Sequence, residues 1–85
     1  MKMSITQSEK SAHQTTSNLS EATRQADAAA ATKAFNLGGT SAAYQAALQT
    51  ADAAHFRRVI ASCVANGVDA GVYRQGLHDI LGVWA

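Results

Sequence analysis

Residues 55–81 read HFRRVIASCVANGVDAGVYRQGLHDIL, and this stretch predicts two helices joined by a tight turn. Gly67 can adopt the left-handed backbone conformation that ends a helix, and Asp69 can cap the helix that follows. Val68 and Tyr73 lie at the two positions of a hydrophobic staple across that cap. The centre of the predicted fold is therefore a helical hairpin.

Apolar residues recur at helical spacing on both sides of this turn. The inward stripe before the turn is Tyr44, Leu48, His55, Phe56, Val59, Ile60 and Cys63, and the stripe after it is Tyr73, Leu77, Ile80 and Leu81. Asp52 falls within the first stripe, so either its carboxylate is paired or the helix breaks near Thr50. We favour a continuous helix over residues 41–66, followed by a helix over residues 70–81.

The first third of the chain has few large apolar side chains. Before Phe35 they are limited to Met1, Met3, Ile5 and Leu19. Residues 1–19 are rich in Ser, Thr and Gln and cannot bury enough apolar surface to offset the entropy of ordering, so we predict a flexible polar arm. Residues 20–35 are rich in alanine, a strong helix former, and Ser20 is a suitable N-cap. The sequence thus predicts an all-α fold, with a small helical domain over residues 20–85 and an arm that is flexible or ordered by a partner.

Composition argues against several classes of protein. Seven Lys and Arg residues against six Asp and Glu residues give a net charge of +1, which provides no long-range field for nucleic acid or an acidic membrane. A charged fraction of only 15% leaves a surface that resists association poorly. We find no stretch apolar enough to span a bilayer and no cleaved signal pattern. A cytoplasmic location is therefore expected, with non-cleaved export or incorporation into a virion as alternatives.

The side chains that could carry chemistry form no established motif. Asp52, His55, Cys63 and His78 could be considered as metal ligands or as an acid/base set, but their spacing matches no zinc pattern. A chain of 85 residues also has little room for a substrate pocket and its supporting shell. We therefore expect no enzymatic activity, no metal, no cofactor and no small-molecule substrate.

A helix-turn-helix that binds DNA is the alternative function, with residues 70–81 as the recognition helix. The residues that would contact nucleic acid are Arg57, Arg58, Arg74 and Gln75. So few cations give only a small contribution from counterion release. We therefore consider nucleic acid an improbable partner for this chain.

Association through helix faces fits the sequence best. Alanine on one side of the first helix permits close approach of another helix, and we predict contacts at Ala22, Ala26, Ala29 and Ala30. Tyr44 and Trp84 are secondary candidates, since aromatic residues often anchor interfaces. The predicted function is a non-catalytic protein–protein interaction or assembly module. It would form a homo-oligomer or dock on a larger complex of a secretion, virion, inhibitor or regulatory type.

Overall fold

The structure is a computed structural model that describes residues 6–82, and all regular elements in this range are α-helices. They are α1 (Gln7–Asn36), α2 (Ser41–Asn66) and α3 (Gly71–Leu81). The predicted all-α class is confirmed, the bounds of α2 match the prediction, and α3 begins one residue later than predicted. Within residues 6–82, none of the helices has the length and hydrophobicity that crossing a bilayer requires.

The start of α1 corrects the sequence prediction. The sequence predicts a flexible arm over residues 1–19 and a helix that begins at Ser20, but α1 already begins at Gln7; residues 1–5 of the predicted arm lie outside the described residues. A capping box fixes this start: the Thr6 hydroxyl accepts a hydrogen bond from the Glu9 amide at 3.1 Å, and the Glu9 carboxylate accepts one from the Thr6 amide at 3.0 Å. Ser20 is not a cap but a buried residue in the middle of α1.

Local signals set the bounds of α2. The Thr40 hydroxyl accepts a hydrogen bond from the Ala43 amide at 3.1 Å and caps the start of this helix. Gly67 ends it with a φ of 70°, the left-handed conformation that glycine adopts without strain. The helix is continuous through Asp52, as we favoured, because that carboxylate is paired with Arg24 of α1.

The three helices form a single layer, with α2 in the middle. Both α1 and α3 pack on α2, and within residues 6–82 they do not pack on each other. The α3 helix runs antiparallel to α2, since Ala70 packs near Cys63, Gly76 lies against Phe56, and the Gln49 side chain donates to the Ile80 carbonyl. The Cα atoms extend over 52 × 31 × 12 Å. A layer this thin leaves broad helix faces uncovered.

The apolar core lies between α2 and α3. The buried members of its main cluster are Val59, Cys63 and Ala70, and Ile60, Val68 and Tyr73 pack against them. None of these residues belongs to α1, whose only buried apolar residue is Ala31. The apolar contact of α1 with α2 is instead made by small side chains such as Ala31 and Ala51, and polar contacts are found alongside them.

Candidate functional site

Polar side chains occupy the interface between α1 and α2, and Ser20 is at its centre. Ser20 is only 3% exposed. Its hydroxyl accepts a hydrogen bond from Arg58 Nε at 2.8 Å and is hydrogen-bonded to His55 Nδ1 at 2.8 Å. Arg58 Nη2 also donates to the Ser20 carbonyl at 3.2 Å. A buried hydroxyl with partners of this kind is satisfied, and here it joins the two helices.

A charged group lies one turn further along α1. The Arg24 guanidinium donates to Glu21 at 2.9 Å and to Asp52 of α2 at 3.4 Å. Hydrogen bonding from Arg24 lowers the pKa of Glu21 to about 2, and the same contact raises the pKa of Arg24. Glu21 also lies 3.4 Å from His55 Nε2, so this group is continuous with the contacts of Ser20. These charges are partly exposed, and solvent weakens their attraction.

His13 makes the corresponding contact near the start of α1. His13 Nδ1 is hydrogen-bonded to the Ser62 hydroxyl at 2.8 Å, and its Nε2 lies 3.9 Å from the Cys63 sulfur. Cys63 is completely buried, and burial raises the pKa of its thiol. Between His13 and Ser20, the Ser17 hydroxyl is buried without a hydrogen-bond partner. The interface is therefore polar along much of its length but incompletely satisfied.

The order Ser20–His55–Glu21 has the outline of a nucleophile, a base and an orienting carboxylate. Ser20 is nevertheless buried between α1 and α2, so a substrate could not reach its hydroxyl while the two helices are packed together. Arg58 also donates to that hydroxyl, so a lone pair of the Ser20 oxygen is already used in a contact between the two helices. These side chains are placed to hold two helices together.

The side chains considered for metal binding or catalysis have separate partners. Asp52 contacts Arg24, His55 contacts Ser20 and Glu21, and Cys63 contacts His13. His78 belongs to α3. Among residues 6–82, no group of three or more His, Cys, Asp or Glu side chains is arranged to hold a metal ion.

The alanines predicted to bind a partner are accessible. Ala22, Ala26, Ala29 and Ala30 are all exposed; the first three lie on the side of α1 that points away from α2, and Ala30 lies at the edge of the contact with α2. Tyr44 instead packs on Phe35 of its own chain, with ring centroids 5.2 Å apart. Trp84 lies outside the described residues.

Leu19 lies on the same side of α1 as these alanines, and the sequence did not lead us to predict it as a contact residue. It is the only leucine of α1, and it is 66% exposed on the side that carries the predicted alanines. We call this surface the outer face of α1; its members are Ala12, Thr15, Leu19, Ala22, Ala26 and Ala29, all of them exposed. Successive members are separated by three and four residues in alternation, which is a heptad pattern that the sequence already contained.

A second apolar surface lies where α1 and α2 meet near their connection. It is a shallow groove of about 430 Å³ whose lining is Asp27, Ala30, Ala31, Ala46, Ala47, Thr50, Ala51 and Ala54. Small side chains allow the two helices to approach closely here. Ala30 thus borders both this groove and the outer face of α1.

The four residues predicted to contact nucleic acid do not all lie on one exposed surface. Arg58 is directed into the interface with α1 and donates to Ser20. Arg57 is exposed on α2, and Arg74 and Gln75 are exposed on α3. The antiparallel packing of α3 along α2 differs from the steep crossing of a helix-turn-helix.

Comparisons with protein-family models, with curated proteins and with solved structures found no match to this chain.

Proposed function

We propose that this protein is a non-catalytic assembly module and that the outer face of α1 binds the same face of a second copy. The observation that carries the proposal is Leu19: a large apolar side chain, 66% exposed, lies in an uncharged stripe of small residues. Burying such a side chain against another helix would gain about 1.5–3 kcal/mol relative to leaving it in water.

The heptad pattern suits a second helix of the same sequence. In an antiparallel pair, Leu19 of one copy lies beside Ala22 of the other, and Ala12 lies beside Ala29. A large side chain then meets a small one, which is the complementarity that knobs-into-holes packing requires. The alanines elsewhere in the stripe allow the two helix axes to approach closely.

Charge favours the antiparallel orientation. Glu9 lies near the start of α1 and Lys33 near its end. An antiparallel pair brings Lys33 of each copy near Glu9 of the other, and this attraction does not require Glu9 to leave its cap. A parallel pair would instead place Lys33 beside Lys33. Exposed pairs of this kind contribute only about 0.2–1 kcal/mol, which is enough to select an orientation but not to drive association.

The shape and charge of the chain support association as well. Stable domains usually have two or more packed layers, whereas this one is a single layer with a thickness of 12 Å between Cα atoms. A net charge of +1 provides little repulsion between copies.

Sedimentation velocity over a concentration series, with circular dichroism of the same samples, tests the proposal. We expect a dimer of the wild-type chain and much weaker dimerisation, with unchanged helicity, for Leu19→Glu, because a charge would be buried at the centre of the contact. Gln14→Glu is the matched control: it adds the same charge at an exposed position of α1 outside the outer face, and the dimer should persist.

A helical wild-type chain that remains monomeric at every concentration would refute self-assembly. The proposal would also be wrong if Leu19→Glu dimerised as strongly as Gln14→Glu. If the chain is a monomer and its outer face of α1 binds a different protein, that protein, and not a second copy, is the partner.

A further inference from the structure

We infer that α1 is an exchangeable helix, able to leave its own α2 and occupy the α2 of a second copy in the register seen here. This exchange uses the surface of α1 that faces α2, so it is independent of the outer face of α1. It would give a reciprocal dimer in which each copy supplies one helix to the other.

The polar contacts identify α1 itself as the occupant of the α2 surface. On α1 they come from His13, Ser20 and Arg24; on α2 their partners are Ser62, His55 with Arg58, and Asp52. Residues that come later in α1 contact residues that come earlier in α2, and the spacing between contacts is similar on the two helices. A helix with an ordinary apolar stripe would leave Ser62, His55 and Arg58 without these partners, which is costly for buried groups. The α1 helix of a second copy satisfies all of them.

The position of α1 in the fold allows it to leave as a unit. Within residues 6–82 it packs on α2 only, and the cluster of Val59, Cys63 and Ala70 between α2 and α3 contains none of its side chains. The side chains that hold it in place are polar or small, and the polar ones, His13, Ser20 and Arg24, can be hydrated after release. The unpartnered Ser17 hydroxyl is relieved of its burial by the same opening. Helices bound in this way open below the free energy of global unfolding.

The connection between α1 and α2 is where the closed and exchanged forms differ. Gly38 has a φ of 107°, a conformation that other residues rarely adopt. A Cβ atom on Gly39 would lie 3.0 Å from the Ala34 carbonyl oxygen and 3.2 Å from Phe35 Cα. The closed turn therefore depends on both glycines. Exchange preserves the contacts between helices and changes only this connection, so substitutions that strain the closed turn should favour the dimer.

A charge-reversal experiment in the Leu19→Glu background tests exchange without the outer face. One variant carries Arg24→Asp and the other Asp52→Arg, so each alone places like charges across its own interface. In a 1:1 mixture, an exchanged heterodimer restores an Arg–Asp pair at both interfaces. We expect native mass spectrometry to show more heterodimer than random pairing of the two chains would give. A mixture of monomers, or dimers in statistical proportion, would overturn the inference.

A turn variant decides the question if the charge-reversed chains fold poorly. Gly38→Ala with Gly39→Val, again with Leu19→Glu, strains the closed turn and leaves the polar contacts intact. Because each dimer relieves two strained turns, we expect dimerisation to strengthen roughly thirtyfold or more relative to Leu19→Glu alone. A monomer, whether helical or unfolded, would overturn exchange. That result would say nothing about the outer face of α1, because these variants all carry Leu19→Glu. The proposal for the outer face is tested by the wild type and Gln14→Glu.

Discussion

Replacing Ser17 and Ser20 separately by alanine should change the stability of the α1–α2 interface in opposite directions. Both residues lie on the side of α1 that faces α2, and both substitutions remove a single hydroxyl. The Ser20 hydroxyl has Arg58 and His55 as partners, whereas the Ser17 hydroxyl is buried with none. The pair therefore isolates the effect of hydrogen bonding from that of the side-chain change.

The expected magnitudes follow from those partners. Ser20→Ala loses a hydrogen bond from a charged group, worth about 1.5–3 kcal/mol, and one with an imidazole, worth about 0.5–1.5 kcal/mol. Arg58 is half-buried and can partly regain water, and alanine gains about 0.5 kcal/mol of helix propensity, so a net loss of about 2 kcal/mol is expected. Ser17→Ala removes an unsatisfied buried hydroxyl and gains the same propensity, for a net increase of about 1 kcal/mol.

Native-state hydrogen exchange measured by NMR reports both changes at the amides of α1. The opening free energies of the two variants should differ by about 3 kcal/mol, a ratio of roughly 100 in the opening equilibrium. Amides of α3 serve as an internal control, because α3 does not pack on α1 within residues 6–82. Shifts of the same sign and similar size in the two variants would show that the hydrogen-bond partners of Ser20 make no difference between the two sites, and would refute the reasoning.

Two further predictions concern acid stability and the contact between α2 and α3. The pKa of Glu21 is lowered from 4.5 to about 2, so its contribution to stability is complete above pH 4.5 and is lost as the pH falls toward 2; Glu21→Gln should flatten this part of a pH series of urea denaturation curves. An acid limb as steep as that of the wild type would contradict the assignment. Gly76→Val should lower the melting temperature, because even a Cβ atom would lie 3.2 Å from Phe56 Cζ, and such overpacking costs about 1–3 kcal/mol. Gly71→Val, where the nearest atom is 3.4 Å away on the exposed Asp69 side chain, is the matched control and should have a smaller effect; equal losses would show that the Phe56 contact is not limiting.

Local sequence signals were sufficient for the fold class and for most helix ends. Thr40 and Gly67 determine the bounds of α2 through contacts with near neighbours, so they could be recognised without tertiary information. The start of α1 was also encoded locally, in the capping box of Thr6 and Glu9, but the shortage of apolar residues in the first third led us to predict a flexible arm. That inference considered hydrophobic burial alone and omitted polar contacts between helices.

The candidate site was predictable only in part. The exposed alanines could be identified from helical periodicity, and the heptad spacing around Leu19 was present in the sequence as well. No pattern, however, showed which side of α1 would face α2. That choice depends on Ser20 meeting His55 and Arg58, residues 35 and 38 positions away along the chain.

The amino-acid sequence by itself therefore determined that the chain is helical, where α2 begins and ends and where α3 ends, because caps and turns act over a few residues; α3 begins one residue later than predicted, with Ala70 and not Asp69 as its N-cap. Only the tertiary structure decided that α1 docks on α2 through polar side chains such as Ser20, and that Leu19 remains outside. The physical reason is that hydrogen bonds between distant residues require a specific alignment of two helices, which no local propensity encodes.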